Sequence, residues 1–245
     1  MKILILGGTG EARALAERLV DAGHDVTTSL AGRTSAPLLP QGALRIGGFG
    51  GPEGLAACLR TEAFDWLVDA THPYAGRISA NAVAASAASG IPLLRLMRAP
   101  WDEPEDAQWQ HFESPEAAAK ALPPGARVLL TTGHAGLDHF LARADCGFLV
   151  RVIQAPQAGL PDHARLLLER PPYDLDHELA LLRNNGVTHM VSKNSGGGQT
   201  AAKLAAAGAL GVTVIIIDRP AYPAAREVAS VDEALAILHS DASRR

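Results

Sequence analysis

Apolar positions along the chain switch between two spacings. Ile3–Leu6 is an unbroken apolar run closed by glycines, the pattern of a strand buried on both faces. Beyond the glycines, Ala12, Leu15, Ala16, Leu19 and Val20 share one helical face, which predicts a helix over Glu11–Ala22 ended by Gly23. The alternation continues. Strands are predicted at His24–Leu30, Ala43–Ile46, Trp66–Ala70 and Pro92–Leu96. A helix opens at Pro52 with Leu55, Cys58 and Leu59, and an alanine-rich helix spans Gly76–Ser89. Repeated strand–helix–strand units imply a parallel sheet covered on both faces.

Residues 97–108 interrupt this order with two prolines and no periodicity, and the domain junction is expected there. The pattern then resumes, with strands at Arg127–Leu130, Phe148–Val152, Ala164–Leu168, His189–Val191 and Val212–Ile217. Helices are expected at Pro115–Ala121, Leu137–Ala142, Asp174–Asn184, Thr200–Leu210 and Val231–His239. The reading is an α/β protein of two Rossmann-like or flavodoxin-like parallel-sheet domains, residues 1–98 and 99–245.

Composition narrows the function classes. The net charge of −4 and the lack of a basic run argue against nucleic acid. No apolar stretch approaches membrane-spanning length, and the apolar start before the glycines is too short for a signal peptide. The two cysteines, Cys58 and Cys146, lack CxxC spacing and suit a reducing compartment. A soluble cytoplasmic protein is expected. No metal is expected, since His134 and His139 have the wrong spacing for one helical face.

Three segments carry candidate chemistry. The first strand runs into Gly7-Gly8-Thr9-Gly10 and then a helix, a turn that lets backbone approach a pyrophosphate at a helix N-terminus. Gly8 and Gly10 fit the dinucleotide fingerprint, whereas Arg13 holds its third glycine position. The second strand ends Thr27-Thr28-Ser29-Leu30 without the acid that grips an NAD ribose, and Arg33 with Thr34 follows. That suits a 2′-phosphate and favours NADPH. The second segment is Asp69-Ala70-Thr71-His72-Pro73-Tyr74-Ala75, at the carboxyl end of a strand, where open sheets bind ligands. There Asp69 either lines the site or caps a turn, and His72 either gives a proton or only hydrogen-bonds. The third is Ser192-Lys193-Asn194-Ser195-Gly196-Gly197-Gly198-Gln199-Thr200, a polar glycine loop before a helix bearing Lys203. It reads as an anion site outside Walker spacing. Arg219, after the last strand of the alternation, either reaches ligand or pairs with a carboxylate such as Asp218.

With Ala31-Gly32-Arg33 and Thr132-Gly133, these strings resemble the precorrin-6A reductase family of cobalamin (vitamin B12) biosynthesis, in order along nearly the whole chain. The resemblance implies NADPH-driven reduction of one double bond of the macrocycle precorrin-6A to give precorrin-6B, in a cleft between the two domains. Members acting on the cobalt-containing macrocycle belong to the same family. On this reading Gly8, Thr9, Gly10, Glu11, Ser29, Arg33, Thr34, Thr71, His72, Pro73, Tyr74, Asn194, Ser195 and Gly196 hold the cofactor. Arg13, Arg77, Gly133, Arg151, Lys193, Thr200, Lys203 and Arg219 meet the polycarboxylate substrate. Water, His72, Tyr74 or Lys193 supplies the proton. Partners would be the tetrapyrrole and other enzymes of the pathway through channelling.

Three rivals remain. A short-chain-type reductase needs Lys four residues after a Tyr, but Tyr74, Tyr173 and Tyr222 are followed there by Ile78, His177 and Arg226. A nucleotide-sugar transferase with paired Rossmann domains shares the glycine-rich strand ends. A non-catalytic NADPH sensor would bind without turnover.

Overall fold

The computed structural model describes residues 1–32, 38–105 and 107–242. The first stretch forms β1 (Lys2–Leu6), α1 (Gly10–Asp21), β2 (Asp25–Leu30), β3 (Ala43–Ile46), α2 (Pro52–Thr61), β4 (Trp66–Asp69), α3 (Gly76–Ser89) and β5 (Leu93–Leu96). There follow β6 (Trp109–Phe112), α4 (Pro115–Ala121), β7 (Arg127–Leu130), α5 (Leu137–Leu141), β8 (Gly147–Val152), β9 (Ala164–Leu168), α6 (Leu175–Asn184) and β10 (His189–Lys193). A 3₁₀ turn over Gly198–Thr200 leads to α7 (Ala202–Ala209), β11 (Thr213–Ile217), β12 (Arg226–Val228) and α8 (Val231–Ala242). Local chemistry sets the helix starts. Thr9, Ser114 and Asp174 each accept a hydrogen bond from the amide three residues on, and Pro52 and Pro115 occupy first-turn positions where no amide is needed.

The strands form two six-stranded sheets, ordered β12-β5-β4-β1-β2-β3 and β6-β11-β10-β7-β8-β9. Every pairing between them is parallel. The chain accordingly divides into two compact units, Met1–Ala99 with Pro220–Arg245, and Pro100–Arg219. Each sheet has the doubly wound order, with its reversal between β1 and β4 in the first unit and between β7 and β10 in the second. The outermost strand beside β5 or β11 is supplied out of turn, by β12 after the second unit and by β6 before β7.

The C-terminal division departs from the expected second domain over 99–245. β12 pairs with β5, Val228 opposite Leu96. Ala234, Leu235 and Leu238 of α8 are buried in one core with Ala12, Leu15 and Leu19 of α1. Burying each such leucine is worth about 2 kcal/mol, enough to draw the last residues back to the first unit. α2 and α3 cover the other face of that sheet through Leu55, Leu59, Ala82 and Ala85. In the second unit α6 and α7 bury Leu182, Ala206 and Ala207 against Leu129, Met190 and Val214. Among the described residues no helix is long and apolar enough to cross a membrane.

Candidate active site

In the first unit, the segments after β1 and β4 lie side by side at the switch point. The amide of Gly7 donates to the carbonyl of Ser29 at 2.9 Å, and a Cβ on Gly7 would stand 2.7 Å from Thr28 Cγ2. Gly8 has φ +116° and nothing within 4 Å of where a Cβ would be, so its backbone faces open space in a conformation that suits glycine. Thr9 ties the two segments together. Its hydroxyl accepts from the Ala12 amide at 3.1 Å and donates to the Ala70 carbonyl at 2.8 Å. Gly10 and Glu11 open α1, whose first amides have no carbonyl one turn back. The Glu11 carboxylate pairs with Arg98 at 2.8 Å. Half-buried Arg13 approaches the Thr9 carbonyl at 3.4 Å.

At the end of β4, Asp69 caps a turn, one of the two roles its position allowed. Its Oδ1 accepts from the Thr71 amide at 3.2 Å and the Thr71 hydroxyl at 2.7 Å. Its Oδ2 faces the Arg95 guanidinium at 3.6 Å, and both residues are buried. Arg95 donates to the Pro223 carbonyl at 3.1 Å, and its guanidinium lies 5.1 Å from the Tyr222 ring centre. His72 is exposed and its Nδ1 accepts from the Tyr74 amide at 3.2 Å, which leaves the proton of the neutral ring on Nε2. The two rings are tilted at 5.8 Å. Thr9, Glu11, Thr71, Pro73, Leu96 and Arg98 line a depression between these segments. Ser29 is buried at the end of β2, and Arg77 is exposed in the first turn of α3. Arg33 and Thr34 lie outside the described residues.

The second unit repeats the arrangement at β7 and β10. Lys193 Nζ donates to the Thr132 carbonyl at 2.6 Å, and Lys203 Nζ donates to the Thr131 hydroxyl at 3.1 Å. Burial pushes the Lys193 ammonium down, and burial pushes Lys203 down to about 7, helped by the nearby charges of Arg151 and Lys193 and opposed by Glu178. Gly133, Gly196 and Gly197 take φ of +71°, +67° and +82°, turning the backbone sharply beyond both strands. Thr200 ends the 3₁₀ turn ahead of α7. Asn194 is occupied on both sides of its side chain. Its Oδ1 accepts from the Trp101 amide at 2.7 Å, its Nδ2 donates to the Trp101 carbonyl at 3.1 Å, and the Trp101 indole donates to the Gly197 carbonyl at 2.9 Å. Arg219 Nε donates to the Asn194 carbonyl at 2.7 Å, while Asp218 pairs with His111 at 2.7 Å. Ser195 and Gly196 are buried within this loop.

Arg151 differs from the substrate-facing role expected of it. It is buried, bonds Glu178 at 2.5 and 3.0 Å, reaches Glu169 at 3.4 Å and lies 4.0 Å from the Tyr173 ring centre. A guanidinium this fully engaged holds α6 to β8. Glu169, His177 and Glu178 gather their ligand atoms within 4.8 Å, but both carboxylates are already paired with Arg151, and His177 bonds Glu169 at 3.0 Å.

The family described as precorrin-6x reductase CbiJ/CobK matches residues 2–239. The chain belongs to this family. Within the precorrin-6x reductase family, it is 48% identical to a precorrin-6A reductase of Rhodococcus erythropolis over 92% of each chain. It is 32% identical to a cobalt-precorrin-6A reductase of Priestia megaterium, over 89% of this chain and 90% of that one. A solved structure titled CobK precorrin-6A reductase superposes with a TM-score of 0.93 at 42% identity, covering 98% of this chain and 96% of that one.

Of the expected residues, Thr9, Glu11, Thr71 and Pro73 lie together in the first unit, and Lys193, Asn194 and Lys203 lie close to the ends of β7 and β10 in the second. Arg95, Arg98 and Trp101 join these groups. Arg95, Arg98 and Trp101 were missed because their partners Asp69, Glu11 and Asn194 lie 26, 87 and 93 positions away. The one available signal was an arginine inside an apolar strand at Leu94-Arg95-Leu96, which demands a buried anion.

Proposed function

We propose that this chain reduces precorrin-6A to precorrin-6B in cobalamin biosynthesis, with NADPH as reductant. The observation that carries the reading is the end-to-end similarity to a precorrin-6A reductase, 48% identical over 92% of both chains. The lower identity of 32% to a cobalt-precorrin-6A reductase favours the cobalt-free macrocycle.

The residues of the first unit suit a dinucleotide. The open Gly8 backbone and the N-terminal amides of α1 form the kind of anion cradle that takes a pyrophosphate, with Thr9, Gly10 and the Thr71–Tyr74 segment beside it. β2 ends in Thr27-Thr28-Ser29-Leu30, a string with no carboxylate to repel a 2′-phosphate, and Arg33 with Thr34 would receive it. NADPH supplies a hydride, and the macrocycle takes that hydride and one proton across a single double bond. His72 is the favoured donor on this chain, because it is exposed and its Nδ1 accepts from the Tyr74 amide, which places the proton of the neutral ring on Nε2. Tyr74 would orient that ring. Lys193 and Arg219, with Arg13 and Arg77 from the first unit, would meet the substrate's carboxylates, which the net charge of −4 alone would repel. The reaction would proceed in the cytoplasm, with product passed to other enzymes of the pathway.

The test is anaerobic turnover of precorrin-6A by purified protein, following NADPH oxidation and the macrocycle spectrum together, with NADH as control. Coupled changes in both signals are expected. NADPH binding with turnover only of the cobalt macrocycle would move the assignment to that substrate. No binding of NADPH would overturn it.

A further inference from the structure

Two lysines converge on adjacent residues at the end of β7, Lys203 on the Thr131 hydroxyl and Lys193 on the Thr132 carbonyl. Lys203 is 4% exposed, and among the described residues it makes no ion pair with a carboxylate. Its ammonium instead lies 5.3 Å from the centre of the Trp101 ring. The charged groups facing it are Arg151 from β8, Glu178 from α6 and Lys193 from β10, and β11 and the 3₁₀ turn add none. Glu178 is committed to Arg151 by two hydrogen bonds. Glu169 also takes up Arg151, at 3.4 Å, so neither carboxylate of this region is spent on Lys203. The Thr132 hydroxyl, on a residue 4% exposed, has no hydrogen-bond partner among the described residues. The loop after Lys193 turns sharply at Gly196 and Gly197, with φ of +67° and +82°.

We propose that Lys193 and Thr132 form an oxyanion site in the second unit, with Lys203 behind them as a charge reserve that takes up a proton when the site fills. The ligand is a carboxylate of the substrate or a phosphate of the cofactor, and only this choice of source rests on the reductase reading. An empty site disfavours the ammonium form of Lys203, because burial without a counter-ion penalises charge. An anion placed against Lys193 and Thr132 reverses that penalty through the low-dielectric interior. The Lys203 ammonium is near half-protonated at neutral pH, at about 7. Filling the site therefore draws a proton from solvent, and anion affinity falls as pH rises.

The experiment is calorimetric titration of the full-length protein with precorrin-6A, NADPH and sulfate separately, at pH 6 and pH 8. The wild-type protein, Lys203→Met and Lys203→Arg are compared, with thermal melts confirming that each variant folds. Wild-type affinity for the cognate anion is expected to drop about tenfold between the two pH values. Lys203→Met should flatten that dependence and bind weakly, whereas Lys203→Arg should flatten it and bind tightly. A slope carried by precorrin-6A identifies the substrate carboxylate, and one carried by NADPH identifies the cofactor phosphate. The same pH profile in wild type and Lys203→Met for all three ligands overturns the proposal. Absence of wild-type turnover would overturn the reductase reading instead, and the sulfate titration would still decide the oxyanion site.

Discussion

Replacing Arg95 by Met leaves the buried Asp69 facing a side chain of similar length and no charge. Asp69 keeps its two bonds from Thr71 through Oδ1, but Oδ2 loses the guanidinium 3.6 Å away. The Pro223 carbonyl loses its 3.1 Å donor as well. Removing one partner of a buried pair costs about 3–5 kcal/mol, since the remaining charge stays desolvated. Asp69→Asn keeps an oxygen for Thr71 and strands Arg95 beside Glu227, a partner 3.6 Å away and half exposed, so it should cost less, about 2 kcal/mol. The double variant removes both charges together. It should be less damaged than the sum of the singles, with a coupling of about 2 kcal/mol in urea unfolding. Additive losses, with a coupling below about 0.5 kcal/mol, would refute the view that these groups act as a pair. Because Asp69 sets the turn into His72 and Pro73, Arg95→Met should also weaken NADPH binding more than stability alone accounts for, as judged by fluorescence titration under conditions where the variant is folded.

Three further outcomes are expected. Gly8→Val forces a branched side chain to φ +116°, which should cost at least about 1–2 kcal/mol and raise the Kd for NADPH, whereas unchanged affinity would remove the turn from the cofactor site. Arg33→Ala should weaken NADPH far more than NADH, and equal losses in a paired titration would remove Arg33 from the 2′-phosphate. For stability against pH, the Lys203 ammonium falls from 10.5 in the unfolded chain to about 7 in the fold, so the unfolded chain binds the extra proton between those values. Wild-type stability relative to Lys203→Met should therefore rise from pH 7 toward pH 10, by about 5 kcal/mol at most, and a constant difference in urea midpoints would show that Lys203 is not held in this way.

Much of this molecule is legible in its sequence, and what escapes does so for physical reasons. The glycine turn after β1 is readable because strand, turn and helix are contiguous, and each leaves a local mark. The loop at Ser192–Gly197 is readable for the same reason. Two strands were passed over. Trp109-Gln110-His111-Phe112 forms an edge strand, half exposed and without alternation, that exists because β11 offers it a partner. Arg226-Glu227-Val228 has one buried residue and is made a strand by β5. Pairing partners far along the chain leave no local periodicity. Side-chain commitments are similarly silent: nothing in the sequence around Arg151 or Asn194 marks Glu178 and Trp101 as their partners.

The return of the last residues to the first unit bears on how the chain is made. Its second unit is one uninterrupted stretch, Pro100–Arg219, while the first is assembled from two pieces separated by the whole of it. A nascent chain emerging from the ribosome can close the second unit as soon as β11 clears the exit. The first must wait, its α1 face of Leu15 and Leu19 uncovered and its β5 edge open, until α8 and β12 arrive. Synthesis order and folding order are thereby inverted. The half that is translated first is completed last, and a chain that stalls after Arg219 carries one finished unit and one with an exposed apolar flank, the form on which chaperones and proteases act.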